Sequence, residues 1–189
     1  MRKLTAFNFI TLNGYYKGAN GDISWHVHNA HNQDTEESNL AEKGANSGNI
    51  LLFGRVTYQM MASYWPTRQA IASSPVVAEG MNKADKIVFS KTLQKADWNN
   101  TILINGNLVE EVRKLKQQQG NNITILGSGS VITQLAEAGL IDEYQFMVDP
   151  VAIGRGTPIF HNINHPLNLK LTQAKTFKSG AVVLSYQAV

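Results

Sequence analysis

The sequence predicts one α/β domain with a mostly parallel sheet and an antiparallel edge. Three observations carry that expectation. Short apolar runs alternate with stretches of helical apolar spacing along most of the chain. The run ending at Phe53 is apolar throughout, as suits a strand covered on both faces. Near the end, two alternating runs at residues 168–176 and 181–187 flank Phe177-Lys178-Ser179-Gly180, which reads as a closing hairpin. A length of 189 residues suffices for one well-buried core and is short for two, so residues 1–189 are read as a single domain.

Residues 4–12 are rich in strand formers and end at Asn13-Gly14. Residues 15–32 carry Gly18 and Gly21 with few aliphatics and read as a long loop. Acidic residues follow at Asp34, Glu36 and Glu37, where a helix N-terminus favours them, with Asp34 a candidate N-cap. That helix should reach about Ala45 and stop at Asn46-Ser47-Gly48. Residues 49–53 form the second strand, Gly54 turns it, and residues 55–64 are helical up to Trp65-Pro66. A short helix at 76–84 precedes the third strand, 86–89; the fourth, 101–104, leads through Asn105-Gly106-Asn107 into an amphipathic helix at 108–118. The fifth strand, 123–126, runs directly into Gly127-Ser128-Gly129-Ser130, and Val131, Ile132, Leu135 and Ala136 then recur at helical spacing. Residues 142–148 form the sixth strand, and 151–160 a connection containing Gly and Pro.

Composition excludes several function classes. The net charge of +3 is too small, and the cations too scattered, to point to nucleic acid. The one basic cluster, Arg113-Lys114-Leu115-Lys116, sits at a helix end, where cations oppose the dipole. Cysteine is absent, which removes disulfides, thiol catalysis and thiolate metal sites, and agrees with a reducing cytoplasm. The N-terminal apolar run is broken by Asn8 and Thr11 and lacks a small-residue cleavage site, so it reads as a strand rather than a signal peptide. No run approaches the ~20 apolar residues needed to cross a bilayer. The expectation is a soluble cytoplasmic protein with no nucleic-acid or membrane partner.

The glycine junctions point to chemistry. Gly127 and Gly129 let the backbone turn tightly and approach a ligand, while the new helix aims unpaired N–H groups at it. Ser128 and Ser130 add hydroxyl donors and a candidate N-cap, and this is an arrangement for a phosphate or pyrophosphate. A second junction, Gly54-Arg55-Val56-Thr57-Tyr58, adds a guanidinium and a hydroxyl on a first helical turn. A third, Phe89-Ser90-Lys91, adds a hydroxyl and an ammonium. Ligands of parallel α/β sheets collect beyond the carboxyl ends of strands, so these ends together suggest a ligand with more than one phosphate, such as a dinucleotide.

In that order and spacing, the motifs resemble the dihydrofolate reductases. They are more similar to the relatives that include the reductase domain of bifunctional riboflavin-biosynthesis (deaminase–reductase) proteins. The later segments Leu140-Ile141-Asp142-Glu143 and Pro150-Val151-Ala152-Ile153-Gly154-Arg155-Gly156-Thr157-Pro158-Ile159-Phe160 resemble that second group, as do Tyr58-Gln59-Met60-Met61 and Tyr64-Trp65-Pro66. The resemblance implies an α/β dihydrofolate-reductase-like fold with helices on both faces of the sheet, and NADPH as the cofactor. It also implies that Arg55, Thr57, Ser90 and Lys91 hold the adenosine phosphate end, and that Gly54, directly before Arg55, is a further cofactor-binding residue. Gly127, Ser128, Gly129, Ser130 and Val131 would hold the pyrophosphate. The loop from Asn13 through Gly14 to Gly18 would cover the nicotinamide. A homodimer is implied as well.

The substrate side is less defined. In dihydrofolate reductases a carboxylate stands on the helix before the second strand; that slot falls near Ser38 here, with Glu37 adjacent. Glu37 and Asp22 are the catalytic candidates, and Asp22, Trp25, Glu37 and Tyr58 the candidate substrate contacts. His26, His28 and His31 have a spacing that converges on a metal in some proteins, but no strong fourth ligand accompanies them, so no metal is expected. Gly127 and Gly129 with Asp149 partly imitate a Rossmann fingerprint, but Ile132 stands where its third glycine belongs. The expectation is an NADPH-dependent reductase that transfers hydride to a C=N or C=O of a small heterocyclic or open-chain sugar-linked substrate, pterin- or riboflavin-precursor-like. The alternative is a nucleotide-binding protein without turnover.

Overall fold

In the computed structural model the strands and helices alternate as the sequence predicts, and one sheet orders them. Residues 1–29 and 35–189 are described, with the backbone alone at 27–29. His31 and Asp34, and the side chain of His28, therefore lie outside the described residues.

Strand β1 (Leu4–Thr11) turns through Asn13-Gly14 into β2 (Tyr15–Gly18), a 3-10 turn (Ala19–Gly21) and α1 (Ser24–Asn29). After α2 (Thr35–Ala45) come β3 (Ile50–Gly54), α3 (Arg55–Tyr64), α4 (Arg68–Ser73) and α5 (Pro75–Lys83). Then follow β4 (Lys86–Phe89), β5 (Thr101–Ile104), α6 (Leu108–Gln117), β6 (Ile123–Leu126), α7 (Gly129–Glu137) and β7 (Glu143–Asp149). The chain closes with β8 (Gly156–Pro158), β9 (Leu169–Thr176) and β10 (Val182–Ala188). Eight strands form the main sheet in the order β5-β4-β3-β6-β1-β7-β10-β9, and β2 pairs with β8 in a separate ribbon. The strands from β5 across to β7 are parallel; β10 is antiparallel to β7 and to β9. This is the mostly parallel sheet with an antiparallel C-terminal hairpin that the alternation predicts.

Strand alternation explains why helices cover both faces. Leu4, Ala6 and Leu52 join one core with Val112 of α6 and Ile132 and Leu135 of α7. Leu51 and Phe53 point the other way, against Tyr58 of α3, Met81 of α5 and Trp98. On that same second face, but toward β7 and the hairpin, Phe7 and Phe9 pack with Met147, Phe177, Val183 and Leu40 of α2. The second face thus carries two separate clusters.

Two buried lysines fasten the framework. Lys116 Nζ donates to Leu140 O and Asp142 Oδ2, both at 2.6 Å, and the same Oδ2 accepts the Leu4 N–H at 2.7 Å. The end of α6 is thereby tied to the starts of β1 and β7. Lys86, 1% exposed, donates to the carbonyls of Asn82, Ala84 and Asn99 and lies 4.5 Å from the Trp98 ring centroid. Burial pushes its ammonium down to about 8.

The principal departure from sequence reasoning is at residues 15–32, read as a loop. Over residues 15–29 the chain forms β2, a 3-10 turn and α1, and residues 30–32 lie outside the described residues. The partner of β2 is β8, with Tyr15 opposite Pro158, so no local signal marks it as a strand. Helix α4 is also absent from the sequence reading; Thr67 caps it by accepting the Ala70 N–H at 3.1 Å.

Candidate active-site cleft

A cleft of ≈ 440 Å³ opens at the carboxyl ends of β3, β4, β5 and β6. Its walls include Gly54, Arg55 and Thr57 from the start of α3, Ser90 and Lys91 after β4, and Ser128, Ser130 and Val131 at the start of α7. The structure thus brings eight of the sequence-predicted positions to one surface. It adds a group that sequence reasoning missed: Gly106, Asn107, Leu108 and Val109, where β5 gives way to α6. Asn107 is the N-cap of α6, its Oδ1 accepting the Glu110 N–H at 3.2 Å. The signal is present in the sequence, because Asn105-Gly106-Asn107 is also a strand–turn–helix junction, but it carries no cation to mark it as a binding turn.

Three helix N-termini therefore border the cleft, and two cations stand among its lining residues while no carboxylate does. Helix N-termini and cations favour anions, and an uncompensated carboxylate there would oppose one. Arg55 is held by Gln59 one turn on, Nη1 donating to Oε1 at 3.0 Å. The donor set fits a polyphosphate ligand.

The turn after β6 is built by close approach. Gly127 has φ +64°, and a Cβ there would lie 3.1 Å from Thr57 Cγ2; a Cβ on Gly129 would meet the Tyr16 ring at 2.6 Å. Gly127 and Gly129 thus shape the turn from behind, and neither lines the cleft. Ser128, also left-handed at φ 56°, occupies the N-cap position of α7 without capping it. Its Oγ instead accepts the Gly54 N–H at 3.0 Å, which locks the two glycine turns together. The expected capping role of Ser128 is corrected accordingly: its positive φ turns the side chain toward β3 rather than over its own helix.

Other predicted residues sit elsewhere. Asn13 clips the turn after β1 to the segment after β7: its Nδ2 donates to Ile153 O at 2.8 Å, and its Oδ1 accepts from Thr11 and from Ile153 N–H. Gly14, φ +82°, completes that turn. Neither lines the cleft. Tyr58, a candidate substrate contact, is 3% exposed, and its hydroxyl accepts the Trp98 N–H at 3.0 Å inside the core. It has no surface to offer a substrate, because three residues beyond Arg55 the helix has turned inward. Ser90 Oγ accepts the N–H groups of Thr92 and Leu93, so it braces the loop that carries Lys91.

Beyond the cleft, at the carboxyl ends of β1 and β7, a different cluster stands. Asp149 is 2% exposed, and its Oδ2 lies 2.9 Å from His26 Nδ1. The His26 ring lies over Phe9 with centroids 3.9 Å apart. Trp25 is buried, its indole Nε1 without a hydrogen-bond partner; Asn8 Nδ2 is likewise buried and unpartnered. Asp22 is exposed and accepts the Ser24 N–H at 2.9 Å, opening α1. Glu37 is half-buried and accepts from the Ser179 hydroxyl at the tip of the hairpin. The sequence marked His26 only as one of three histidines and Asp149 only as a fingerprint mimic. Among the described residues, no group of His, Asp and Glu forms a metal site.

With this geometry in view, the relatives are informative. Residues 2–183 match the model of the RibD C-terminal domain family. The uncharacterized protein YyaP of Bacillus subtilis (strain 168) is 32% identical over 177 residues, which span 94% of this chain and 90% of that protein. A candidate riboflavin biosynthesis protein of Shewanella sp. PV-4 superposes with a TM-score of 0.74 at 22% identity, covering 99% of both chains. A diaminohydroxyphosphoribosylaminopyrimidine deaminase/5-amino-6-(5-phosphoribosylamino)uracil reductase of Thermotoga maritima superposes at 0.66 and 14% identity, covering all of this chain and 57% of that one. At these identities the solved structures speak to the fold, which is the α/β dihydrofolate-reductase-like arrangement.

Proposed function

The chain belongs to the RibD C-terminal domain family, and from that premise we propose that it is an NADPH-dependent reductase acting on a C=N or C=O of a small heterocyclic or open-chain sugar-linked substrate. The observation that supports this most is the carboxylate-free cleft, where the N-termini of α3, α6 and α7 meet Arg55 and Lys91. Arg55, Thr57 and Lys91 would hold the adenosine phosphate end, and Ser130, Val131 and the first turn of α7 the pyrophosphate. A 2′-phosphate adds charge at the end where both cations stand, which favours NADPH over NADH. Bound there, NADPH would supply hydride. The protein's share is to position the two reactants and exclude water between them.

Fluorescence titration tests the reading. NADPH should bind, with NADH at least about tenfold weaker, and Arg55→Ala should erase most of that difference. Equal affinity for the two cofactors, or binding unchanged in Arg55→Ala, would overturn the cofactor assignment. A small-molecule substrate, a cytoplasmic setting and a homodimer complete the proposal. Sedimentation velocity decides the last, and a monomer at micromolar concentration would refute it. Among the described residues no helix is long and apolar enough to cross a membrane.

A further inference from the structure

Three charged side chains are buried among the described residues: Lys86, Lys116 and Asp149. The two lysines each hold backbone carbonyls, and their purpose is structural. Asp149 differs. Its partner is an imidazole whose side chain is 28% exposed. Burying a carboxylate against a ring open to water is a poor way to stabilise a fold, since desolvation offsets most of the attraction. It is a good way to orient a ring that exchanges protons.

The place of the pair in the sheet matters as much as its chemistry. Asp149 ends β7, and its register partner is Thr11, the last residue of β1. From Ser90 beyond β4, the sheet passes β3, β6 and β1 before reaching β7. At about 4.8 Å per strand those four steps span roughly 19 Å. A dinucleotide with its phosphates at β3, β4 and β6 would direct its reactive end along this row toward β1 and β7. Among the described residues, the other acids near that end are engaged: Asp22 opens α1, and Glu37 accepts from Ser179.

We propose that His26 is the proton donor of the reduction and that Asp149 is the residue that positions it. This rests on the reductase reading above. A carboxylate only accepts, so His26 Nδ1 carries the hydrogen it gives to Asp149, and Nε2, on the other side of the ring, is left to face substrate. Phe9 fixes the ring plane from below. The cofactor, held at the cleft, would supply hydride and with it both electrons to the carbon of the C=N or C=O group. The π pair moves to nitrogen or oxygen, and His26 Nε2 gives that atom its proton. The ring is left neutral, still donating from Nδ1, and regains a proton from water at its exposed edge.

The test uses the full chain, saturating NADPH and 5-amino-6-(5-phosphoribosylamino)uracil as the probe. His26→Gln should lower kcat about a hundredfold with NADPH affinity within about threefold of the unaltered protein, and Asp149→Asn should lower it about tenfold. A folded His26→Gln protein that keeps its kcat overturns the proposal. A second readout needs no turnover. In long-range 1H–15N spectra the His26 ring, recognised by its loss in His26→Gln, should carry its hydrogen on Nδ1 when neutral, and Asp149→Asn should shift it. An Nε2–H ring overturns the proposal whether or not the probe is reduced. Failure of the reductase reading looks different: the unaltered chain would then not bind NADPH in the fluorescence titration, or would bind it without oxidising it, whatever the His26 tautomer.

Discussion

The cleft and the His26–Asp149 cluster lie along one edge of one sheet, yet they are assembled in opposite ways. Every wall of the cleft is a local unit in which a strand ends, the chain turns, and the residues just beyond line the cleft. Gly54 with Arg55 and Thr57, Ser90 with Lys91, and Ser128 with Ser130 and Val131 are such units. The second cluster has no local unit at all. Its two polar partners are separated by 123 positions, and Phe9 comes from a third element. The first region holds charge by repeating one device; the second places a single titratable ring by convergence.

That contrast yields predictions. The largest effect should come from removing both cations of the cleft. Arg55→Ala with Lys91→Ala should weaken NADPH binding about a hundredfold and leave the His26 ring signals in place. Movement of those signals in the double variant would mean that the two regions are one coupled site.

The framework beneath the cleft should show a pH dependence of its own. Lys86 has a folded-state value of about 8 against the usual 10.5. Between those values the unfolded chain binds the proton more readily, so stability should rise as pH climbs from about 8 to 10.5. Lys86→Met should flatten that rise, and by leaving three carbonyls without their donor should cost about 2–3 kcal/mol at pH 7. Denaturant titrations at pH 7.5 and 10 check both, and an unaltered protein equally stable at the two would refute the first.

A smaller effect is expected at Tyr58. Tyr58→Phe removes the acceptor of the Trp98 N–H and should cost about 1–2 kcal/mol, with substrate KM unchanged. A raised KM at unchanged stability would restore the substrate role that burial argues against.

The smallest concerns the turn itself. Gly127→Ala places a Cβ at φ +64° and 3.1 Å from Thr57 Cγ2, at a cost of about 1 kcal/mol. The penalty should appear in Tm and in NADPH affinity, because Thr57 must shift, while kcat at saturating cofactor stays within about twofold. A fall in kcat alone would place the turn closer to the chemistry than its geometry suggests.

The elements were legible where periodicity is local. Strands β4, β5 and β6, the start of α3 and the closing hairpin stand where alternation and glycine punctuation predict them. Residues 15–29 were not legible, because β2 has meaning only beside β8 and α1 only against Phe9 and Asp149. Within the site, Asn107 could have been found by treating its strand–turn–helix junction like the others. The occupation of Ser128 by Gly54 N–H could not, since that bond joins residues 74 positions apart.

What the sequence by itself determined, then, is the class of fold and most of the residues that line the cleft: apolar runs specify buried parallel strands, and glycine followed by hydroxyl or cation marks the strand ends that meet there. Each of those signals is complete within about ten residues, because hydrogen bonding and side-chain spacing in a strand or helical turn are local. Tertiary structure alone decided which carboxylate is buried, which histidine it holds and which predicted residue turned inward. Those outcomes depend on strand order in the sheet, where β1 lies between β6 and β7, and no local pattern encodes that order.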